Sequence, residues 1–299
     1  MNLTGFVREN GVGIRQHWLA VPSVGCVNRT VELAAERAPR MALLTHQGGC
    51  GMLRDDVAQF RDTLAGMLLN PNVGGGVVVG LGCETNQAAD IASLANRGPG
   101  AVTSLTLQAA GGVTSAAEAV CRLFDGRDAM VSRVQVAPRD LRVVVTVRDD
   151  AGPAGLAHAQ HFATSLQGYG FDVLGPVAAV RDTGPATTGG SVPGIWARDD
   201  VTHAPSEVEA LSVAAAQGAV IGVAFAGEAT PVGSPVMPVI RATSAPGAVF
   251  AADCQLAGPP GETTEQLLRL FEEVVNGRET VGESIGQRDF APPRIAPTM

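Results

Sequence analysis

The residues best equipped for chemistry are three cysteines and their neighbours. Cys26 lies in "VPSVGCVN", Cys50 in "THQGGCG" and Cys83 in "GLGCETNQ"; the same stretches hold Asn28, His46, Gln47, Glu84 and Asn86. Thiolate and imidazole ligate soft or borderline metals, and imidazole and carboxylate also carry protons. In "THQGGCG" alone, the spacing fits a metal pocket and a tight turn about equally. A single cysteine is as readily a small buried apolar side chain as a ligand. Three in matching contexts weigh toward a site.

The matching context is the element pattern. Each cysteine follows a short apolar run and precedes an amphipathic stretch: "HWLAVPSVG" before "CVNRTVELAAERA", "RMALLTH" before "RDDVAQFRDTLAGMLLN", "VGGGVVVGLG" before "CETNQAADIASLANRG". Apolar Val/Leu runs alternating with helical stretches predict buried parallel strands joined by crossover helices. The expectation is an α/β fold: a doubly wound, mostly parallel sheet over residues 1–137, followed by a second α/β domain over 138–299. In such a sheet the strand-to-helix loops meet in the crevice at the carboxyl ends, where ligands bind. The helix starts beyond offer backbone N–H groups to an anion. In the second half, "LRVVVTV", "FDVLGPVAAV" and "AVIGVAFAG" read as strands. A Gly/Pro-rich stretch at about 183–205 reads as a long loop of the kind that covers a site. Ser206 and Glu209 have the spacing of a helix-capping box.

The remaining candidates are weaker. Cys121 falls inside an amphipathic helix and reads as core; Cys254, beside Asp253, is open. His17 reads as a strand residue. His158 and His161 are three apart on a helix with no acidic partner, a plain surface or core pattern. His203 borders the long loop.

Composition excludes several classes. The net charge is −8 with no basic run, so the electrostatic footprint of nucleic-acid binding is missing. All 21 basic residues are arginine, which removes Schiff-base chemistry and the lysine-dependent phosphate loop. With 45% hydrophobic but only 4% aromatic residues, Val, Ala, Leu and Gly must fill the core. Neither a signal pattern nor a membrane-length apolar run is visible, and five cysteines without CxxC pairs argue against a disulfide framework. The expected location is the cytoplasm. "GLGCET" follows a strand but lacks the third glycine of a dinucleotide fingerprint.

At these same residues the sequence resembles the altronate and galactarate dehydratases and their sulfolactate sulfo-lyase relatives. "GFVRENGVGIRQ", "VPSVGCVN", "THQGGCG", "NPNV" and "GLGCETNQ" carry the resemblance in the first half. "PSEVEALSVAAAQGAVIGVAFAGEATPVGSPVMPVIRAT" and "GRETVGESIGQRDF" carry it in the second. The resemblance implies a lyase that uses Fe2+, or Mn2+ in some members, to eliminate water or a similar group from a sugar acid or hydroxy acid; an iron–sulfur cluster is not excluded. It points to His46 and Glu84 as acid/base residues, and to Cys26, Cys50 and Cys83 as metal ligands with His46 as an alternative. Arg15, Asn28, Gln47 and Asn86 are the substrate-binding candidates. It also implies a small carboxylate as substrate, a homo-oligomer, and a separate small subunit in place of the N-terminal domain of many members.

The chain departs from the family pattern in several places, among them the N-terminal "GRVG", shortened here to "GVG". After "LRVVVTV" it reads "RDDAGPAGLAHAQ", without the usual cysteine and paired glycines. Glu228 in "GEATPVGSP" replaces a cation, and Gln16 replaces an asparagine. These departures support a second reading, a non-catalytic member that binds a carboxylate or a partner subunit.

Overall fold

The computed structural model describes residues 1–52, 54–96, 102–125, 132–175, 206–227, 232–244 and 252–292. His203, Glu228 and the loop at about 183–205 lie outside them.

Two parallel sheets form the frame. The first contains β3 (His17–Pro22), β4 (Ala42–Leu43), β5 (Val73–Gly80) and β6 (Val102–Thr106) in the order β4-β3-β5-β6. Strands this short and apolar, buried on both faces, alternate their side chains between two helical layers. Trp18 and Ala20 of β3, with Val77 and Val79 of β5, meet α1 (Asn28–Arg37) and α5 (Val113–Phe124). Leu19, Val21 and Val78 face α2 (Arg54–Leu69) and α3 (Ala88–Ala95). The chain passes from β3 outward to β4, then crosses back to β5 on the other side. The connections therefore diverge between β3 and β5, and this divergence opens a crevice at the carboxyl ends.

The second sheet repeats that plan. Its strands β8 (Arg142–Val147), β9 (Asp172–Leu174), β10 (Ile221–Ala226), β11 (Val239–Thr243) and β12 (Cys254–Gln255) run in parallel in the order β12-β11-β10-β8-β9. One face carries α6 (Gly152–Gly168) and α8 (Pro260–Val275), packed through Phe162 and Phe271. On the other lies α7 (Glu207–Ala216), whose Leu211, Ala214 and Ala215 share one core with Phe60, Leu64 and Leu68 of α2.

The N-terminal residues do not stay with the first sheet. β1 (Thr4–Arg8) pairs antiparallel with β2 (Gly11–Gly13) and with β7 (Val134–Gln135), while Leu3, Val12 and Ile14 are buried in the core beside the second sheet. "NPNV" locks the halves together. Asn70 Nδ2 donates to the carbonyls of Ala215 and Ala219, and Asn72 Nδ2 to those of Val220 and Val236. Asn72 Oδ1 accepts from the N–H groups of Ile14 and Arg15 at 2.7 and 3.0 Å. No described helix is long and apolar enough to cross a membrane.

Candidate active-site crevice

Cys26, Cys50 and Cys83 occupy the loops that leave β3, β4 and β5, three strands that lie side by side. All three residues are exposed. The loops are stitched to one another through their backbones. Gly25 N–H donates to Gly48 O at 2.8 Å, and Ser23 N–H to Val79 O at 2.9 Å. Asn28 Nδ2 donates to His46 O at 2.7 Å. Glycine permits this closeness: at Gly49, with φ +108°, a Cβ would stand 2.7 Å from both Ser23 O and Val24 Cα.

Glu84 anchors the β5 loop from inside. Its residue is 2% exposed; Oε1 accepts from Ser23 Oγ at 2.8 Å and Oε2 from Gly82 N–H at 2.6 Å. Burial alone would push its carboxyl up. The backbone N–H groups of Glu84, Gly82 and Leu81, with the Ser23 hydroxyl, outweigh burial and hold it below the usual range. A carboxylate thus sits beside the thiols. Cys50 is raised, first by loss of water around its sulfur and then by Cys26, Cys83 and Glu84. Among the described residues no three His, Cys, Asp or Glu side chains lie close enough together to hold one metal ion.

His46 is 5% exposed, and both ring nitrogens face backbone: Nε2 lies 2.8 Å from Pro22 O, and Nδ1 accepts from Gly48 N–H at 3.2 Å. That pairing selects the tautomer with the proton on Nε2. The ring stands edge-on to Phe60 at 4.8 Å and reaches Phe290 at 6.3 Å. In this arrangement neither nitrogen is free for a substrate proton or a metal; the ring holds the β3 and β4 loops in register.

The other expected residues divide. Gln47 is exposed at the crevice. Asn28 is tied to the His46 backbone, and Asn86 Nδ2 donates to Val57 O at 2.9 Å. Arg15 stands apart, at the amino end of β3 rather than the carboxyl end. It grips Glu283 with two bonds of 2.7 and 3.0 Å and donates to the carbonyls of Ile14, Val274 and Arg278. A guanidinium so occupied fastens the approach to β3 to the C-terminal segment. His158 and His161 join α6 to the α8 region through Gly258 O and Thr264 Oγ1, as the plain reading expected.

A cleft of about 470 Å³ opens beside the loops, lined by Thr45, His46, Gln47, Glu209, Phe290, Ala291 and Pro292. That volume lies within the range of small-molecule sites. Glu209 and Phe290 were missed from the sequence. Glu209 does take part in the cap, its N–H donating to Ser206 Oγ at 3.1 Å. Its buried position on the cleft wall follows from α7 packing on α2, which no local spacing encodes.

Residues 5–131 match the family described as D-galactarate dehydratase/Altronate hydrolase, second domain. "Altronate dehydratase" of Bacillus subtilis (strain 168) is 41% identical over 96 residues, covering 28% of this chain and 19% of that protein. "Altronate dehydratase" of Escherichia coli (strain K12) is 40% identical over 93 residues, 27% of this chain and 19% of that protein. "(2R)-sulfolactate sulfo-lyase subunit beta" of Chromohalobacter salexigens is 30% identical over 129 residues, 40% of this chain and 32% of that protein. Each alignment thus spans well under half of the relative's own length.

Proposed function

We propose, from the match of residues 5–131 to the second-domain family of the D-galactarate dehydratases and altronate hydrolases, that the chain is a metal-dependent hydro-lyase acting on a hydroxy-carboxylic or sugar-acid-like substrate. One arrangement carries the reading: three exposed thiols, and a buried carboxylate on one of their loops, at the ends of three adjacent strands where the sheet's connections diverge.

Cys26, Cys50 and Cys83 would hold the metal. Soft thiolates favour iron, whereas manganese prefers oxygen ligands and has less support here. Among the described residues no three His, Cys, Asp or Glu side chains converge closely enough for one ion; tetrahedral bonds of about 2.3 Å need sulfurs only about 3.8 Å apart. A cluster spreads its thiolates more widely, so an iron–sulfur centre suits these positions better than a single ion. When bound, the iron supplies a Lewis acid for the oxygens of the substrate.

The chain supplies the rest. Glu84 is the base for the proton next to the substrate carboxylate, held in place by Ser23 and Gly82. Gln47 offers its amide to the substrate from the crevice mouth. His46 is a positioning residue, and Glu209 gives the cleft a second carboxylate. Loss of a proton and of hydroxide from adjacent carbons leaves an enol that relaxes to the 2-oxo acid, with one water released. The sulfo-lyase relative is named as a subunit, which supports a small separate partner for this chain.

The second reading, a non-catalytic carboxylate binder, draws on the loop after β8, where Arg148 to Gly152 provide no cysteine. Anaerobically prepared, iron-supplemented protein incubated with galactarate, altronate and related hydroxy acids separates the two. The lyase reading predicts a 2-oxo acid product from at least one of them. Saturable binding without product would establish the second reading instead.

A further inference from the structure

The second sheet holds a charged group that the first crevice does not use. Arg241, in the middle of β11, is 2% exposed and ranks first by volume among the fully buried side chains. Strand register sets Thr146 of β8, Ala224 of β10 and Arg241 of β11 in one row close to the carboxyl ends. The row crosses the point between β8 and β10 where this sheet's connections diverge. The first turn of α7 lies over it: Glu207 accepts from Arg241 Nη1 at 3.3 Å and from Thr146 Oγ1 at 3.2 Å.

What remains of the guanidinium is unsatisfied. Arg241 Nε and Nη2 are buried and have no hydrogen-bond partner among the described residues. Those two N–H groups form one edge, the edge that meets a carboxylate through two parallel bonds. Buried polar groups in proteins are nearly always paired, and an unpaired charged edge is costly. Nearby acids are committed elsewhere. Asp150 pairs with Arg148 at 2.8 Å, and Asp253 accepts from the backbone N–H groups of Arg241 and Val281. Burial pushes the Glu207 carboxyl up against the opposing pull of Arg241 and Arg148, which weakens it as a counter-ion. The positive end of the α7 dipole adds to the demand for an anion.

We propose that this row is a second ligand site, in which Arg241 Nε and Nη2 grip the carboxylate of a small hydroxy acid beneath the start of α7, with Thr146 and Glu207 available to its hydroxyls. The site stands on residues separate from the three thiols and does not depend on the metal reading.

The test is calorimetric titration and thermal unfolding of the full chain with D-gluconate and malonate at fixed ionic strength, with glycerol as the neutral control. At least one carboxylate is expected to give saturable binding and an upward shift in Tm, and glycerol neither. In a chain with Cys26, Cys50 and Cys83 all changed to Ser, which disables the first crevice, carboxylate binding should persist. In that background Arg241→Lys should weaken it tenfold or more, because an ammonium cannot make the side-on pair, and Arg241→Gln should abolish it. Where Arg241→Gln does not fold, the Nε–H resonance of Arg241, identified by its loss in Arg241→Lys, should move with added carboxylate in the unmodified protein. Absence of carboxylate binding, or equal binding in Arg241→Lys with an unmoved resonance, would overturn the proposal.

Discussion

Glu84 and His46 share a loop system yet do different work. Both oxygens of Glu84 are held by donors, so Glu84→Gln keeps much of the shape while deleting the charge. If Glu84 is the base, that change should cost roughly 10²–10⁴-fold in turnover with iron content retained, read by product formation and metal analysis on the same sample. Retained turnover would remove Glu84 from that role. His46→Ala is expected to free Pro22 O and the Gly48 N–H and to loosen both loops, raising hydrogen exchange at Gly48 with a cost of about 1–3 kcal/mol. At this scale the sequence shows which side chains stand at the strand ends but not what each one bonds to. Imidazole at a strand end is legible as a candidate; that its two nitrogens are taken by Pro22 and Gly48 depends on where β3 runs. The pairing of Arg15 is equally illegible, since its partner Glu283 is 268 residues away.

The three cysteine loops depend on glycine where backbones nearly touch. Gly49→Ala must both tolerate φ +108° and push a methyl against Ser23 O. It is expected to lose about 1–3 kcal/mol and to lower iron uptake. Gly111→Ala is the matched control, with φ +84° but nothing within 4 Å of an added Cβ. Equal losses in the two variants, with iron uptake intact, would show that the close approach of loops does not matter. The strand-to-helix alternation was legible because apolar runs and amphipathic stretches follow one another without a break. It correctly put Cys26, Cys50 and Cys83 at equivalent strand ends. The strand order, and hence which loops become neighbours, was not legible, because it is set by which helix covers which face.

Across the whole molecule, two sheets of matching order share one core through α2 and α7, fastened by Asn70 and Asn72. Asn72→Ala removes the partner of four backbone groups, three of them in buried bonds, and is expected to cost on the order of 3 kcal/mol or more, measured by chemical unfolding. His17 lies near the same seam, in the field of Glu283, Arg15, Arg288 and Arg8. Burial lowers its imidazole to about 4. The unfolded chain, with a value of about 6.5, therefore takes the proton first as pH falls. Stability from this group is complete above about 6.5 and drains away toward 4. His17→Gln should flatten that part of the stability–pH curve; an unchanged slope would contradict the assignment. The cleft belongs to this scale too, for its walls combine Gln47 with Glu209 and Phe290 from the far half of the chain. The most direct measurement of the central claim is iron and acid-labile sulfide in protein purified without oxygen. The account predicts both in stoichiometric amount, with an absorption band that bleaches on reduction, and their loss in each of Cys26→Ser, Cys50→Ser and Cys83→Ser. Iron-free protein that takes up no iron on reconstitution, or iron content indifferent to all three substitutions, would contradict it.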